Sequence, residues 1–168
     1  VDSGEGALIM FTGQMDYRPN VDAVDGFARQ TLPLIRAQHP SARFAIVGRN
    51  PTAEVSALAA LPGVLVTGEV GDTRDWLAAA DVVVAPLLLA RGIQNKILEA
   101  MAMAKPVVAS PAAAEGIDAG ADDGLIVAQD WAAQADEVLA LLANPARAKA
   151  AGRAARTRMI TRYGWDAR

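Results

Sequence analysis

The chain has 168 residues, 52% of them apolar, and a net charge of −3, which is enough for one domain with a real core and too little for two on length alone. It has no cysteine and one histidine, so a disulfide framework and a thiolate nucleophile are excluded and little is left for a zinc site. Apolar runs such as residues 82–85 are broken by charge far short of the roughly 18 residues of a membrane span, and no signal peptide is visible, so the chain reads as soluble and cytoplasmic.

Apolar runs of strand length alternate with amphipathic segments of helix length, the pattern of a parallel sheet covered by helices. Residues 1–6 read as a lead-in. Residues 7–12 predict a first strand ending at Gly13, followed by a loop holding Tyr17, Pro19 and Asn20. Residues 22–38 carry Val24, Phe27, Ala28, Leu32 and Ile35 at helical spacing, and His39-Pro40 ends that helix. Residues 43–47 predict a second strand closed by Gly48-Arg49-Asn50-Pro51, and Thr52 can cap a short helix through Leu61. A third strand, 64–67, runs into Gly68-Glu69-Val70-Gly71. Asp72 or Thr73 can then cap a helix ending near Ala80, before a fourth strand at 82–85 stopped by Pro86.

A helix over 94–104 and a fifth strand at 106–110 follow, then a sixth strand at 124–128 and two helices at 131–143 and 145–163. Asn144-Pro145 marks the break between the last two, with proline at the first helical position. The implied fold is α/β: a Rossmann-like three-layer α/β/α sandwich of about six parallel strands spanning residues 7–165. Crossovers in such a sheet are right-handed, and ligands bind beyond the carboxyl ends of the strands. Here those ends are Gly13, Gly48, Gly68, Pro86 and Ser110.

Charge is unevenly spread. From Asn144 to Arg168 there are seven basic residues and one acid, a local charge of +6, which leaves −9 on the remainder. This basic last helix is either a solvated arginine-rich face or a contact for an anionic membrane surface or acidic partner. Nucleic acid is disfavoured, because nowhere are basic residues interleaved with stacking aromatics.

The segment Arg91-Gly92-Ile93-Gln94-Asn95-Lys96 is the strongest chemical signal. If Gln94 opens the helix, the N–H groups of Ile93, Gln94, Asn95 and Lys96 lack intrahelical partners and can converge on a pyrophosphate, with Lys96 adding charge. A plain glycine-started helix would look the same up to this point. At 100° per residue, Ile97, Ala100, Met101 and Ala104 share the buried face, while Asn95 and Glu99 lie opposite. Glu99 is thereby free to accept the two hydroxyls of a ribose, or is simply a surface acid beside Lys96. Arg18 and Arg49, just past the first two strand ends, can neutralise phosphate or be ordinary loop arginines.

Glu99-Ala100-Met101-Ala102-Met103-Ala104-Lys105-Pro106-Val107-Val108 resembles the donor motif of the carboxyl-terminal half of retaining GT-B-fold glycosyltransferases, the group 1 family. Members show a Glu, seven intervening residues, then Glu followed by Ala-Met-Ala and a small-Pro-Val-Val strand. The first Glu is absent: Arg91 stands eight positions before Glu99, where it favours phosphate or an acidic sugar group. Residues 11–20, Ile46-Val47-Gly48-Arg49, Val66-Thr67-Gly68-Glu69-Val70 and residues 75–81 resemble further segments of the same half-domain. The wording Arg-Gly-Ile-Gln-Asn-Lys and Tyr-Arg-Pro-Asn is most similar to sugar transferases of exopolysaccharide and cell-surface clusters.

The resemblance implies a nucleotide-sugar donor held by Gly13, Arg49, Gly68, the 92–96 turn, Glu99 and the loop at Glu115. Lys96, Arg91 and Glu99 are the catalytic candidates, Glu99 as ribose ligand. The leaving diphosphate would be stabilised electrostatically without metal or other cofactor, and no Asp-x-Asp triplet is present. The acceptor and a further catalytic group would come from an amino-terminal domain absent from these residues, leaving this piece inactive alone. Of the other readings, a dehydrogenase needs Gly-x-Gly-x-x-Gly after the first strand, which Gly13-Gln14-Met15-Asp16 does not supply. A nucleotide-sugar epimerase half, or a non-catalytic nucleotide-binding or partner module, remain as alternatives.

Overall fold

The computed structural model describes residues 6–164 and contains a six-stranded parallel sheet. The strands are β1 (Leu8–Thr12), β2 (Arg43–Val47), β3 (Val64–Gly68), β4 (Val82–Ala85), β5 (Val107–Ala109) and β6 (Leu125–Val127), in the order β3-β2-β1-β4-β5-β6. The central runs Leu8–Phe11 and Val82–Ala85 are buried throughout, as strands covered on both faces must be. The order reverses between β1 and β4. With right-handed crossovers, connections leaving in opposite directions place their helices on opposite faces, and a crevice opens at the carboxyl ends where they part. Residues 1–5 of the predicted lead-in and the last predicted domain residue, Trp165, lie outside the described residues.

The first crossover starts earlier than its periodicity suggests. Helix α1 (Arg18–Gly26) takes in the segment predicted as loop, because proline is tolerated in the first helical turn, where its missing N–H has no partner to lose. It passes through a widened π turn, Phe27–Thr31, into α2 (Leu32–Gln38). Pro33 is the physical reason: it cannot donate and its ring crowds the carbonyl four residues back, so the Leu32 N–H reaches to Phe27 instead.

The next helices are α3 (Ala53–Ala57), capped by Thr52, and α4 (Thr73–Ala79), capped by Asp72. After β4 comes α5 (Asn95–Ala102), two residues shorter at its end than predicted. It closes in a left-handed turn at Ala104, φ 60°, with the Lys105 N–H on the Ala100 carbonyl and the Ala104 N–H on that of Met101. A short helix, α6 (Pro111–Ala114), was not predicted, although Ser110-Pro111 carries its signal: a capping hydroxyl followed by proline. Helices α7 (Trp131–Ala143) and α8 (Pro145–Tyr163) have the predicted bounds.

Helix α7 packs on α2 and β5, and α8 packs on α5. Gly152 permits the second contact, since a Cβ there would fall 2.0 Å from the Ala104 carbonyl oxygen. The buried face of α5 is consequently wider than the predicted stripe: Leu98 and Ala102 are buried beside Ile97, Ala100 and Met101, while Ala104 is only partly covered.

At the carboxyl ends of β1 and β2 the two backbones touch. Gly13 donates its N–H to Val47, Met15 donates to the Arg49 carbonyl, and a Cβ on Gly48 would stand 1.7 Å from the Gly13 carbonyl oxygen. The obstructing carbonyl is main chain, with no side chain to swing aside. Gly48→Ala is therefore expected to lose about 2–4 kcal/mol of stability, measured by urea unfolding.

Candidate functional site

A cleft of about 440 Å³ lies over the carboxyl ends of β1, β2 and β3. Thr12, Gly13 and Gln14 line it from β1, Val47, Gly48 and Arg49 from β2, Glu69, Val70 and Thr73 from β3 and α4, and Lys96 and Glu99 from α5. Of the predicted site residues, Gly13, Arg49, Lys96 and Glu99, distant in sequence, thus line one cleft.

Lys96 is its centre. The side chain is largely buried, and its ammonium donates to the Asn20 side-chain oxygen at 2.9 Å and sits 4.7 Å over the Phe11 ring. Burial pulls its pKa down to about 8, against a smaller opposing pull from Glu99. Glu99, one helical turn on, is exposed as the helix geometry requires. Partial burial nonetheless raises its pKa, with Lys96 acting the other way. Among the described residues no carboxylate forms an ion pair with Lys96. A largely buried cation hydrogen-bonded only to a neutral amide, with a ring face beside it and one carboxylate acting through space, is electrostatically incomplete, and an anion in the cleft would complete it. Arg49 adds a second cation and donates to Gln14 at 3.3 Å.

The remaining predicted residues fall elsewhere. Gly92, at φ 67°, makes the left-handed turn before α5, and its Cβ direction is open. Gln94 is the extended residue preceding the helix, and the Ile97 N–H is already bonded to its carbonyl at 3.0 Å. The unsatisfied N–H groups therefore centre on Asn95 and Lys96, with Ile93 outside the helix. Arg91 and Glu115 are exposed and do not line the cleft, although the 115–116 loop abuts the Gly92–Ile93 backbone. Gly68 ends β3 beside the cleft, at φ 68°. Arg18 is diverted from any phosphate: it pairs with Asp22 at 2.6 Å and with Glu54 at 2.9 Å.

Sequence reasoning missed Asn20, Gln14, Glu69 and Thr73. Asn20 had a usable signal: it stands three and four residues before the buried Ala23 and Val24, a polar residue on an apolar stripe. The others are loop or cap residues with no periodicity to expose them.

A second cleft, about 420 Å³, lies at the amino ends of the strands and includes His39, Asp81, Lys105 and Lys149. Two of these groups are engaged: Lys105 donates to the carbonyls of Ala78 and Ala80, and Asp81 accepts the Leu8 N–H, while Lys149 is exposed. Size does not separate the two clefts; the largely buried cation without an ion-pair partner does. Three of the five arginines of α8 are likewise engaged. Arg156 donates to the Ala102 carbonyl, while Arg158 and Arg162 pair with Asp118 at 3.1 and 2.6 Å. No helix among the described residues is long and apolar enough to cross a membrane, and no three His, Cys, Asp or Glu side chains there are grouped to hold a metal.

Residues 6–144 match the family described as glycosyl transferases group 1. The chain belongs to that family. It is 31% identical over 109 residues, 64% of this chain, to a phosphatidyl-myo-inositol mannosyltransferase of Propionibacterium freudenreichii, of which the match covers 26%. Its fold is similar to that of Staphylococcus aureus TarM, solved with UDP (TM-score 0.79, 19% identity, 94% of this chain and 33% of that one). It is also similar to the carboxyl-terminal domain of the Francisella tularensis group 1 protein LpcC (TM-score 0.70, 17% identity, 95% and 87%). This group 1 domain thus spans about a quarter of the mannosyltransferase and a third of TarM. The fold is that of one half of a GT-B glycosyltransferase.

The energetics of Lys96 make a testable statement about this group 1 domain. A lysine whose folded pKa lies below its ordinary 10.5 costs stability while protonated, and the cost is relieved as pH rises from about 8 toward 10.5, where the unfolded chain binds more protons. Lys96→Met is expected to stabilise the domain by roughly 1 kcal/mol at pH 7, after the lost amide bond is counted. The gain should shrink between about pH 8 and 10. Urea melts across that range check both sign and trend.

Proposed function

We propose that this group 1 domain holds the nucleotide diphosphate sugar donor of a retaining glycosyltransferase acting in surface or exopolysaccharide synthesis. The observation that carries the reading is the buried, uncompensated Lys96 ammonium in the carboxyl-end cleft, three residues from an exposed Glu99 on the same helix. In this reading the diphosphate lies against Lys96, Arg49 and the free amides at the start of α5. The ribose hydroxyls donate to Glu99, and the base lies along the backbone at Gly68–Val70. TarM, solved with UDP, lends the donor class support by shared fold.

As the glycosidic bond breaks, negative charge builds on the departing diphosphate. A cation already desolvated and already placed stabilises that charge without reorganising. Lys96 does this at the helix start, and Arg49 supports it from the end of β2. Arg91 is on the exposed turn outside the cleft, and in this reading it meets an acidic group of the donor. The acceptor and its activating group come from the rest of a longer enzyme, at the cytoplasmic face of a membrane, so these 168 residues bind donor nucleotide without transferring sugar. The exopolysaccharide assignment rests on the Tyr-Arg-Pro-Asn and Arg-Gly-Ile-Gln-Asn-Lys wording.

Isothermal titration with UDP, GDP and ADP tests the reading: at least one is expected to bind, and failure of all three would overturn it in favour of a partner module. Glu99→Ala should weaken that binding about tenfold, the loss of one charge-assisted hydrogen-bond pair, and leave the melting temperature unchanged because Glu99 is exposed.

A further inference from the structure

We propose that Asn20 is a positioning residue of the anion site, whose side-chain amide holds the Lys96 ammonium toward the cleft without neutralising it. The inference rests on the donor-site reading above. Asn20 is 5% exposed, on the first turn of α1, and is one of few buried polar side chains among the described residues. Its oxygen accepts from Lys96 at 2.9 Å and its nitrogen donates to the Gln14 carbonyl at 3.0 Å. One amide therefore ties α5 to the loop after β1, and through Gln14 to Arg49.

The choice of amide is what carries the argument. Asparagine can accept from the lysine and donate to the carbonyl at the same time, whereas an aspartate of the same shape could only accept. The aspartate would also pair with Lys96 and cancel the charge that the cleft otherwise presents. An aliphatic residue would leave the ammonium unheld. Gly13 leaves the room this requires, since a Cβ there would lie 2.6 Å from the Asn20 nitrogen and 3.2 Å from the Lys96 ammonium. The charged groups that face Lys96 across the cleft are Glu99 from α5, Glu69 after β3 and Arg49 after β2. Glu99 affects it through space only. The ligand that fits a lysine held in this way is a phosphate or diphosphate, which supplies the missing counter-charge.

Following the Lys96 side-chain amine by NMR tests this directly. It is expected to titrate near pH 8 in the wild-type chain, at least one unit higher in Asn20→Asp, and lower in Asn20→Ala, where a desolvated cation loses its acceptor. A residue that merely supported the loop would not move that titration in opposite directions. Either variant decides the point if the other does not fold.

Binding of inorganic pyrophosphate supplies the second readout. Wild-type affinity should fall as pH rises past about 8, because the anion needs the protonated amine. Asn20→Asp should bind about tenfold more weakly at pH 7 and lose the decline at pH 8. An unmoved Lys96 titration in the folded variants overturns the assignment of Asn20. The expected opposite shifts, in a wild-type chain that binds neither pyrophosphate nor UDP, GDP or ADP, would uphold Asn20 as the residue that sets Lys96 and overturn the donor reading instead.

Discussion

An ammonium drawn largely out of water and given an amide and a ring face, with no carboxylate in ion-pair contact, is the constraint on which the carboxyl-end cleft turns. In most buried pairs, attraction to a partner ion offsets desolvation; here the pull of Glu99 offsets only part of it, and the fold bears the rest of the cost. The arrangement makes sense only if something negative arrives. A cleft that paired Lys96 internally would be more stable and, by the same electrostatics, a poorer place for a diphosphate. The conflict between stability and binding is therefore located at a single side chain.

The sheet supplies the conditions for that charge. Reversal of strand order between β1 and β4 opens the crevice, and α5, which follows β4, starts beside the end of β1. Two glycines then bring main chains together. Gly48 lets the β1 loop lie against β2, and Gly13 clears the space in which Asn20 and Lys96 meet. The loop so placed carries Gln14, whose carbonyl orients Asn20 and whose side chain accepts from Arg49. Backbone proximity at the strand ends is thus converted into the orientation of two cations some distance apart in sequence.

The fold was legible because buried parallel strands are continuous apolar runs and crossover helices are amphipathic; all six strands and both terminal helices lie where periodicity put them. What escaped had competing local rules. Proline at 19 read as part of a loop and proved to be a first-turn residue, and that misplacement hid Asn20 inside a predicted loop. Proline at 33 left its helix continuous at the expense of a π turn that no hydrophobic pattern encodes. Within the cleft, Lys96, Arg49 and Gly13 were legible as residues at a strand end or a helix start, and Glu99 from its place opposite the buried stripe of its helix. Asn20 and Gln14 act through hydrogen bonds that depend on how two loops meet in space, and neighbours along the chain do not report that.

The two ends of the sheet show why charge balance locates this site better than shape does. Both carry clefts of similar volume, and both contain a lysine whose pKa is lowered by burial. At the amino end, Lys105 spends its hydrogen bonds on two carbonyls at the close of α4 and lies near Asp81, so its charge serves the fold. On α8 the same holds for Arg158 and Arg162, fastened to Asp118, and for Arg156 on the end of α5, so much of the basic tail is internal fastening. At the carboxyl end a neutral amide is the only side chain hydrogen-bonded to Lys96 among the described residues. Of the buried or engaged cations compared, it is the one whose electrostatics remain open, and it lies at the strand ends where a doubly wound sheet receives its ligand.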